Sequence, residues 1–234
     1  MNIGAGRIVP QELPRIDEAI AADELTNAPP LARLISKLSK SGAACHLVGL
    51  ISPGGVHSHQ RHIVAIARSL AAASVRVHVH LLLDGRDTPP RSGMEYVREF
   101  ESAIEKFRSV RVATVGGRYF GMDRDHRWDR VERAYRTLMS GECPRVRSVI
   151  DGIKQSYSNG VGDEFMNPVA VCEYTGMKDG DGLLAANFRA DRIRQLLTAL
   201  VDPEFKEFPC RKGACMAASR SYSTNDVATS LYRA

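Results

Sequence analysis

The chain has 234 residues, of which 44% are hydrophobic and 25% charged, a composition typical of a folded globular protein. No apolar run approaches the roughly 20 residues of a membrane-spanning helix, and the N-terminus lacks the apolar core of a secretory signal. The net charge of +5 at pH 7 fits a binder of nucleic acids or of small anions, so the positions of the basic residues decide between these classes.

Helices and strands are predicted to alternate along the chain. Apolar residues at helical spacing predict helices, and in the first of them Leu31, Leu34 and Leu38 share one face. The predicted helices are 29–42, 59–73, 92–107, 128–141, 149–160 and 191–201. Short apolar or β-branched runs predict strands at 44–52, 74–83, 110–115 and 182–188. This alternation favours a single-domain α/β fold with a mostly parallel central sheet flanked by helices.

The cysteines and histidines match no metal-binding motif. The cysteines are odd in number and lack CxxC spacing, so we expect free thiols and a cytoplasmic protein. They are Cys45, Cys143, Cys172, Cys210 and Cys215. Six of the seven histidines lie between residues 46 and 80, which suggests a metal site, but no spacing among them fits a known ligand signature. Hydrogen-bonded histidines are the more common explanation.

Unusual polar loops follow four of the predicted strands. They are SPGGVHSH (52–59), DGRDTPP (84–90), GGRYFGMDR (116–124) and NFRADR (187–192). In an open parallel sheet the carboxyl ends of the strands line up along one edge, where ligands usually bind. The sequence therefore predicts a binding site at this edge, built from loops on a rigid sheet.

Five arginines lie in three of these loops. They are Arg86, Arg118, Arg124, Arg189 and Arg192. Guanidinium groups donate in a planar fork that fits carboxylate and phosphate oxygens, and such a cluster repels itself unless an anion neutralises it. Two interpretations remain open: a pocket for a doubly anionic small molecule such as a phosphorylated acid, or a structural network with neighbouring aspartates. The candidate aspartates are Asp84, Asp87, Asp123 and Asp191.

Two further side chains in these loops could take part in chemistry. A carboxylate among guanidiniums stays ionised, so Asp87 is a candidate proton acceptor at neutral pH, although Asp-Gly is also common in turns. The paired glycines before His57 allow a ligand to approach closely, and the imidazole could donate to a phosphoryl or hydroxyl oxygen. Ser58 has no placed base beside it, so a nucleophilic triad is not indicated.

Six segments give the chain a resemblance to a known family. MNIGAGR, GGVHSH, LDGRDTPP, GRYFGMDRDHRWDRVERAY, DEF (163–165) and NFRADRIRQL occur in the order found in cofactor-independent phosphoglycerate mutases. These enzymes interconvert 3-phosphoglycerate and 2-phosphoglycerate in glycolysis and gluconeogenesis. The resemblance implies that residues 1–234 correspond to their inserted phosphotransferase domain, with 205–234 as the return hinge.

The resemblance also implies roles for single residues. The substrate-binding positions would be His57, Arg86, Asp87, Arg118, Arg124, Arg189 and Arg192. Within this set Arg118 and Arg124 would hold the carboxylate side of the substrate, and Arg189 and Arg192 the phosphoryl group. Asp87 would be the catalytic proton shuttle. Pro53 stands where the family usually has aspartate, and because proline fixes φ and removes a donor, the direction of His57 is left open.

The serine nucleophile and two manganese ions of the family belong to a second, alkaline-phosphatase-like domain. Because its motifs do not occur in these 234 residues, we expect the chain alone to be inactive and to carry no metal or cofactor. Its expected partners are phosphoglycerate and that second domain, with no nucleic acid and no membrane. The alternatives are a stand-alone phosphorylated-acid-binding protein derived from the domain and, with little support, a basic nucleic-acid binder.

Overall fold

The structure, a computed structural model, describes residues 12–210 and 218–221. The MNIGAGR segment and much of the proposed hinge, including Cys215, lie outside these residues. The strands are β1 (Cys45–Ile51), β2 (Val77–Leu83), β3 (Val110–Gly117), β4 (Arg145–Val146), β5 (Val169–Val171), β6 (Gly182–Ala185) and β7 (Ala218–Ser221). The helices are α1 (Glu12–Ala21), α2 (Pro29–Ser41), α3 (Gln60–Ala72), α4 (Gly93–Ile104), α5 (Arg118–Gly121), α6 (Trp128–Ser140), α7 (Val149–Ser158) and α8 (Arg194–Val201). Two 3₁₀ turns, Leu25–Asn27 and Asp163–Phe165, complete the set.

One seven-stranded sheet has the order β4-β5-β3-β2-β1-β6-β7. Strands β3, β2, β1, β6 and β7 run parallel, whereas β5 pairs antiparallel to β3 and carries β4 alongside it. The predicted α/β fold with a mostly parallel sheet is therefore confirmed. The antiparallel edge was not predicted, because three-residue and two-residue strands carry too little sequence pattern.

The sheet is covered on both faces. Every residue of β1 is buried, and its successive side chains point alternately to the two layers. Leu47 packs into a core formed with α2, α3, α4 and α7, whereas Val48 packs into a second core formed with α6 and α8. Helices α2 and α6 end where Gly42 and Gly141 adopt left-handed φ angles of 69° and 65°, as the glycine stops predicted.

Strand β6 ends at Ala185, three residues before the predicted boundary. Beyond it the side chain of Asn187 takes over pairing with the neighbouring strand, since its Oδ1 accepts a hydrogen bond from the Leu50 amide at 3.2 Å. The backbone therefore leaves the sheet before residue 187, where the NFRADR loop begins. Among the described residues no helix is long and apolar enough to cross a membrane.

Candidate functional site

The four polar loops meet at one edge of the sheet. Strands β3, β2, β1 and β6 are consecutive neighbours and run parallel, so their carboxyl ends lie side by side. The loops that follow them carry all seven predicted binding residues, and Arg118 itself begins the short helix α5. The fold therefore brings the loops that carry the predicted residues together at the carboxyl edge of the sheet.

A buried chain of polar groups forms the floor of this edge. Asp84, which is 1% exposed, follows β2 directly and accepts from Ser52 Oγ at 2.7 Å and from Arg118 Nη1 at 2.7 Å. Its Oδ1 also accepts from the backbone amides of Arg86 at 3.2 Å and Asp87 at 3.0 Å, which fixes the DGRD turn. The same Nη1 of Arg118 donates to Asp87 Oδ2 at 2.6 Å.

Both members of the central ion pair are charged despite their burial. Burial opposes the charge of Arg118, but hydrogen bonds to Asp87 and Asp84 outweigh it and raise the pKa of the guanidinium. Burial likewise works against the Asp84 carboxylate, yet bonds from the Asp87 amide, Ser52 and Arg118 lower its pKa. A structural Arg–Asp network therefore exists here. Asp87 differs from Asp84 in that its side chain is 22% exposed.

His57 lies beside this chain, in the loop after β1. It is 3% exposed, and its Nδ1 is 3.6 Å from Asp191 Oδ1, too far for a hydrogen bond. Within the described part of the chain this nitrogen has no hydrogen-bond partner. Burial, reinforced by the positive charge of Arg118, lowers the pKa of His57 to about 4 although Asp191 opposes the shift. The imidazole is therefore neutral at pH 7.

We expect His57 to make the stability of the chain fall as the pH drops below 6.5. The imidazole has a pKa of about 4 in the folded chain and its ordinary value near 6.5 when unfolded, so between these values the unfolded state binds more protons. Over that window the wild type should lose up to about 1.4 kcal/mol per pH unit more than His57→Gln. Urea unfolding at pH 7, 5.5 and 4.5 measures the difference. Parallel profiles would contradict the assignment.

Three arginines from different loops lie at this same edge of the sheet, which we call the pocket. The side chain of each is more than half exposed. Arg189 Nε lies 3.1 Å from Asp191 Oδ1, and Arg124 Nη1 lies 3.7 Å from Asp191 Oδ2. Arg86 Nη1 lies 3.3 Å from Glu164 Oε1. The exposed positions of these guanidiniums leave most of their donors available to a ligand.

Arg192 shows that the arginines converge. No ion pair within 4 Å is found for it among the residues that the structure describes. Burial, and next the positive charges of Arg124, Arg86 and Arg118, lower the pKa of this guanidinium. Cations from two other loops, those that follow β2 and β3, thus act on the side chain of Arg192.

The 163–165 segment contributes residues that sequence reasoning gave no role. Asp163 is buried, and it fixes the segment by accepting from the Gly93 amide at 2.8 Å and from Tyr157 Oη at 2.5 Å. Glu164 is thereby placed against Arg86. The DEF motif belongs to the family resemblance, but no spacing in the sequence links it to the DGRD loop 78 residues away. Ser52, the partner of Asp84, was missed for the same reason.

Asp123 does not serve the pocket. Its Oδ1 accepts from the amides of Asp125 at 2.9 Å and Arg127 at 3.0 Å, and its Oδ2 lies 3.2 Å from Arg130 Nη1. The guanidinium of Arg130 in turn lies 4.0 Å from the centre of the Tyr119 ring. These contacts fasten the loop to α6.

The histidines of the strands lie at the opposite, amino end of the sheet. Asp181 Oδ2 is 3.1 Å from His46 Nε2, His46 Nδ1 is 2.9 Å from His80 Nε2, and His80 Nδ1 is 2.9 Å from Thr114 Oγ1. His78 stacks on His46 and lines a cavity of about 650 Å³ to which none of the seven predicted residues contributes. In residues 12–210 and 218–221 no three His, Cys, Asp or Glu side chains are grouped to hold a metal ion.

Comparisons with known proteins agree with this architecture. The family model described as "BPG-independent PGAM N-terminus" matches residues 16–228. The 2,3-bisphosphoglycerate-independent phosphoglycerate mutase of Gluconobacter oxydans is 48% identical over 218 residues, 93% of this chain and 42% of that protein. The enzyme of the same name from Rhodopseudomonas palustris is 47% identical over 96% of this chain and 45% of its own length. A crystal structure of Leishmania mexicana phosphoglycerate mutase superposes with a TM-score of 0.83 at 30% identity, covering 92% of this chain and 42% of that one.

The chain spans less than half the length of the curated relatives that it matches. The family model nevertheless covers nearly all of it, and the fold and the segment order agree with that match. The chain therefore belongs to the 2,3-bisphosphoglycerate-independent phosphoglycerate mutase family, of which it represents the N-terminal domain.

Proposed function

We propose that the chain binds 3-phosphoglycerate and 2-phosphoglycerate at the carboxyl edge of its sheet and holds the glycerate during phosphoryl transfer. The observation that carries this proposal is the placement of Arg124 and Arg189, which follow different strands, on either side of Asp191 with more than half of each side chain exposed. Phosphoglycerate carries a carboxylate and a phosphoryl group, and guanidinium forks fit both. Relatives named as phosphoglycerate mutases support the choice of ligand.

We assign each of these residues a role in binding or in proton transfer. Arg118 and Arg124 hold the carboxylate side of the ligand, and Arg189 and Arg192 hold the phosphoryl group. Asp87 takes the proton from the glycerate hydroxyl that attacks the phosphoryl group of a phosphoserine on the other domain, and returns it to the other hydroxyl in the opposite half-reaction. The exposed face of its carboxylate and the 2.6 Å bond from Arg118 suit this role.

Neither serine beside the pocket is available as the phosphoryl acceptor. Ser52 and Ser58 are both fully buried, and their hydroxyls donate to Asp84 and to the Ala186 carbonyl, respectively. The described residues also do not fit the two manganese ions of the family. Following the family resemblance, we place the nucleophile and the metals on the alkaline-phosphatase-like domain, and we assign the complete enzyme to the cytoplasm and to glycolysis and gluconeogenesis.

Calorimetric titration with 3-phosphoglycerate in the absence of metal tests the binding role. We expect saturable binding that weakens moderately between low and physiological salt, because one small anion is bound rather than many phosphates. Arg189→Ala should weaken it roughly 10- to 100-fold, the value of a charge-assisted hydrogen bond. Arg194→Ala removes an exposed arginine five positions along and is the matched control. A folded chain that does not bind 3-phosphoglycerate would contradict the proposal.

The isolated 234-residue chain should not interconvert the two phosphoglycerates. With manganese and 3-phosphoglycerate present, we expect no 2-phosphoglycerate above the blank in an enolase-coupled assay. The full-length Gluconobacter oxydans relative provides the positive control. Manganese-dependent turnover by the purified chain would show that it holds a nucleophile and a metal site of its own.

A further inference from the structure

The Asp191 carboxylate lies between three of the loops that form the pocket. Its Oδ1 is 3.1 Å from Arg189 Nε and 3.6 Å from His57 Nδ1, and its Oδ2 is 3.7 Å from Arg124 Nη1. His57 follows β1, Arg124 follows β3, and Arg189 follows β6. One internal carboxylate therefore faces the groups to which we assign the anionic ligand.

These contacts are loose for ion pairs. A charge-assisted N–H···O bond is usually 2.7–2.9 Å long, whereas the arginine contacts of Asp191 are 3.1 and 3.7 Å. Its Oδ1 is buried, yet it makes no hydrogen bond among residues 12–210 and 218–221. The side chains of Arg124 and Arg189 are 51% and 53% exposed, so either can turn to another partner. Asp191 compensates their charge without holding them firmly.

A simpler role for Asp191 lies in the helix that follows. The Arg194 amide donates to the Ala190 carbonyl at 3.1 Å, so Asp191 belongs to the first turn before α8. A carboxylate in that position interacts favourably with the helix dipole. This role affects only the stability of the chain, however, and it does not require the carboxylate to face His57 and Arg124. Ligand affinity distinguishes the two roles.

We propose that Asp191 is an internal counter-anion that occupies the arginine cluster of the empty chain and is displaced from Arg124 and Arg189 by the ligand. The inference rests on the proposed function, because it presumes that an anion binds there. A phosphate dianion carries more charge and more acceptor oxygens than one carboxylate, so it competes successfully for these donors. Asp191 thus stabilises the empty pocket at the cost of ligand affinity.

The test compares Asp191→Asn with the wild-type chain in calorimetric titrations with inorganic phosphate and with 3-phosphoglycerate. Removing one negative charge beside the bound anion should lower both dissociation constants about tenfold. Without ligand the variant should melt at a lower temperature than the wild type, and phosphate should raise its melting temperature more. Asp179→Asn removes the same charge from an exposed turn at the amino end of β6 and should change binding less than twofold.

The outcomes separate this inference from the proposed function. If the wild type binds 3-phosphoglycerate and Asp191→Asn binds it equally or more weakly, the counter-anion role is wrong and the binding function stands. If neither protein binds either anion, the binding function is wrong and the inference falls with it. Should Asp191→Asn fail to fold, Asp191→Ser retains a small polar group in the turn that precedes α8 and is judged by the same criteria.

Discussion

Replacing Arg118 with alanine is expected to lower the free energy of unfolding by about 3–5 kcal/mol. The guanidinium is 3% exposed and bridges Asp84 and Asp87 through Nη1 at 2.7 and 2.6 Å. Without it, the Asp84 carboxylate, which is 1% exposed in the wild type, loses the cation of its ion pair, and removing one partner of a buried ion pair is the costly way to break it. Urea unfolding at pH 7 measures the loss.

Arg136→Ala is the matched control for this prediction. Arg136 pairs with Glu132 at 2.7 Å on the surface of α6, and its side chain is 43% exposed. Exposed pairs of this i,i+4 type contribute only about 0.3–0.5 kcal/mol. If Arg118→Ala were no more destabilising than Arg136→Ala, the buried network would not be the floor of the pocket.

Arg118→Ala should also abolish 3-phosphoglycerate binding. Arg124→Ala, in contrast, should weaken the binding and leave the stability of the chain undiminished.

This contrast shows how far the sequence defines the candidate site. The positions of the arginines follow from the strands that precede them, because parallel strands bring their carboxyl ends together. Whether each arginine is buried or exposed, however, cannot be predicted from the order of the strands. Arg118 and Arg124 both lie in one loop sequence, yet Arg118 is enclosed and Arg124 is half exposed. The difference arises because Asp84, 34 residues earlier, lies beneath Arg118.

The same limit applies to the fold. The helices with an apolar face and a terminal glycine were predicted within a few residues, since that periodicity is a local property of the sequence. The segment Val169–Val171 was not predicted as a strand. It is three residues long and pairs antiparallel through only two residue pairs, Thr114 with Ala170 and Val115 with Val169. Its structure is set by β3 rather than by its own sequence.

The largest effect outside the charged network is expected at Gly117, the last residue of β3. A Cβ built at this position would overlap the carbonyl oxygen of Glu164 and would lie 2.6 Å from the carbonyl oxygen of Asp163. The Gly117 amide also donates to the Met166 carbonyl at 2.7 Å, so the 163–165 segment is fastened directly to the strand end. Because the overlapped atoms are backbone and cannot rotate away, Gly117→Ala should cost roughly 3 kcal/mol or more.

Gly152→Ala provides the control, because there the nearest atom is the flexible Met166 Cε at 3.2 Å. In α7 alanine is about 1 kcal/mol more favourable than glycine, so this variant should be at least as stable as the wild type. The consequence of Gly117→Ala extends to the pocket, since pushing the segment outward removes Glu164 from Arg86 and leaves that guanidinium without its carboxylate. A Gly117→Ala chain as stable as Gly152→Ala would mean that the segment yields easily and does not position Arg86.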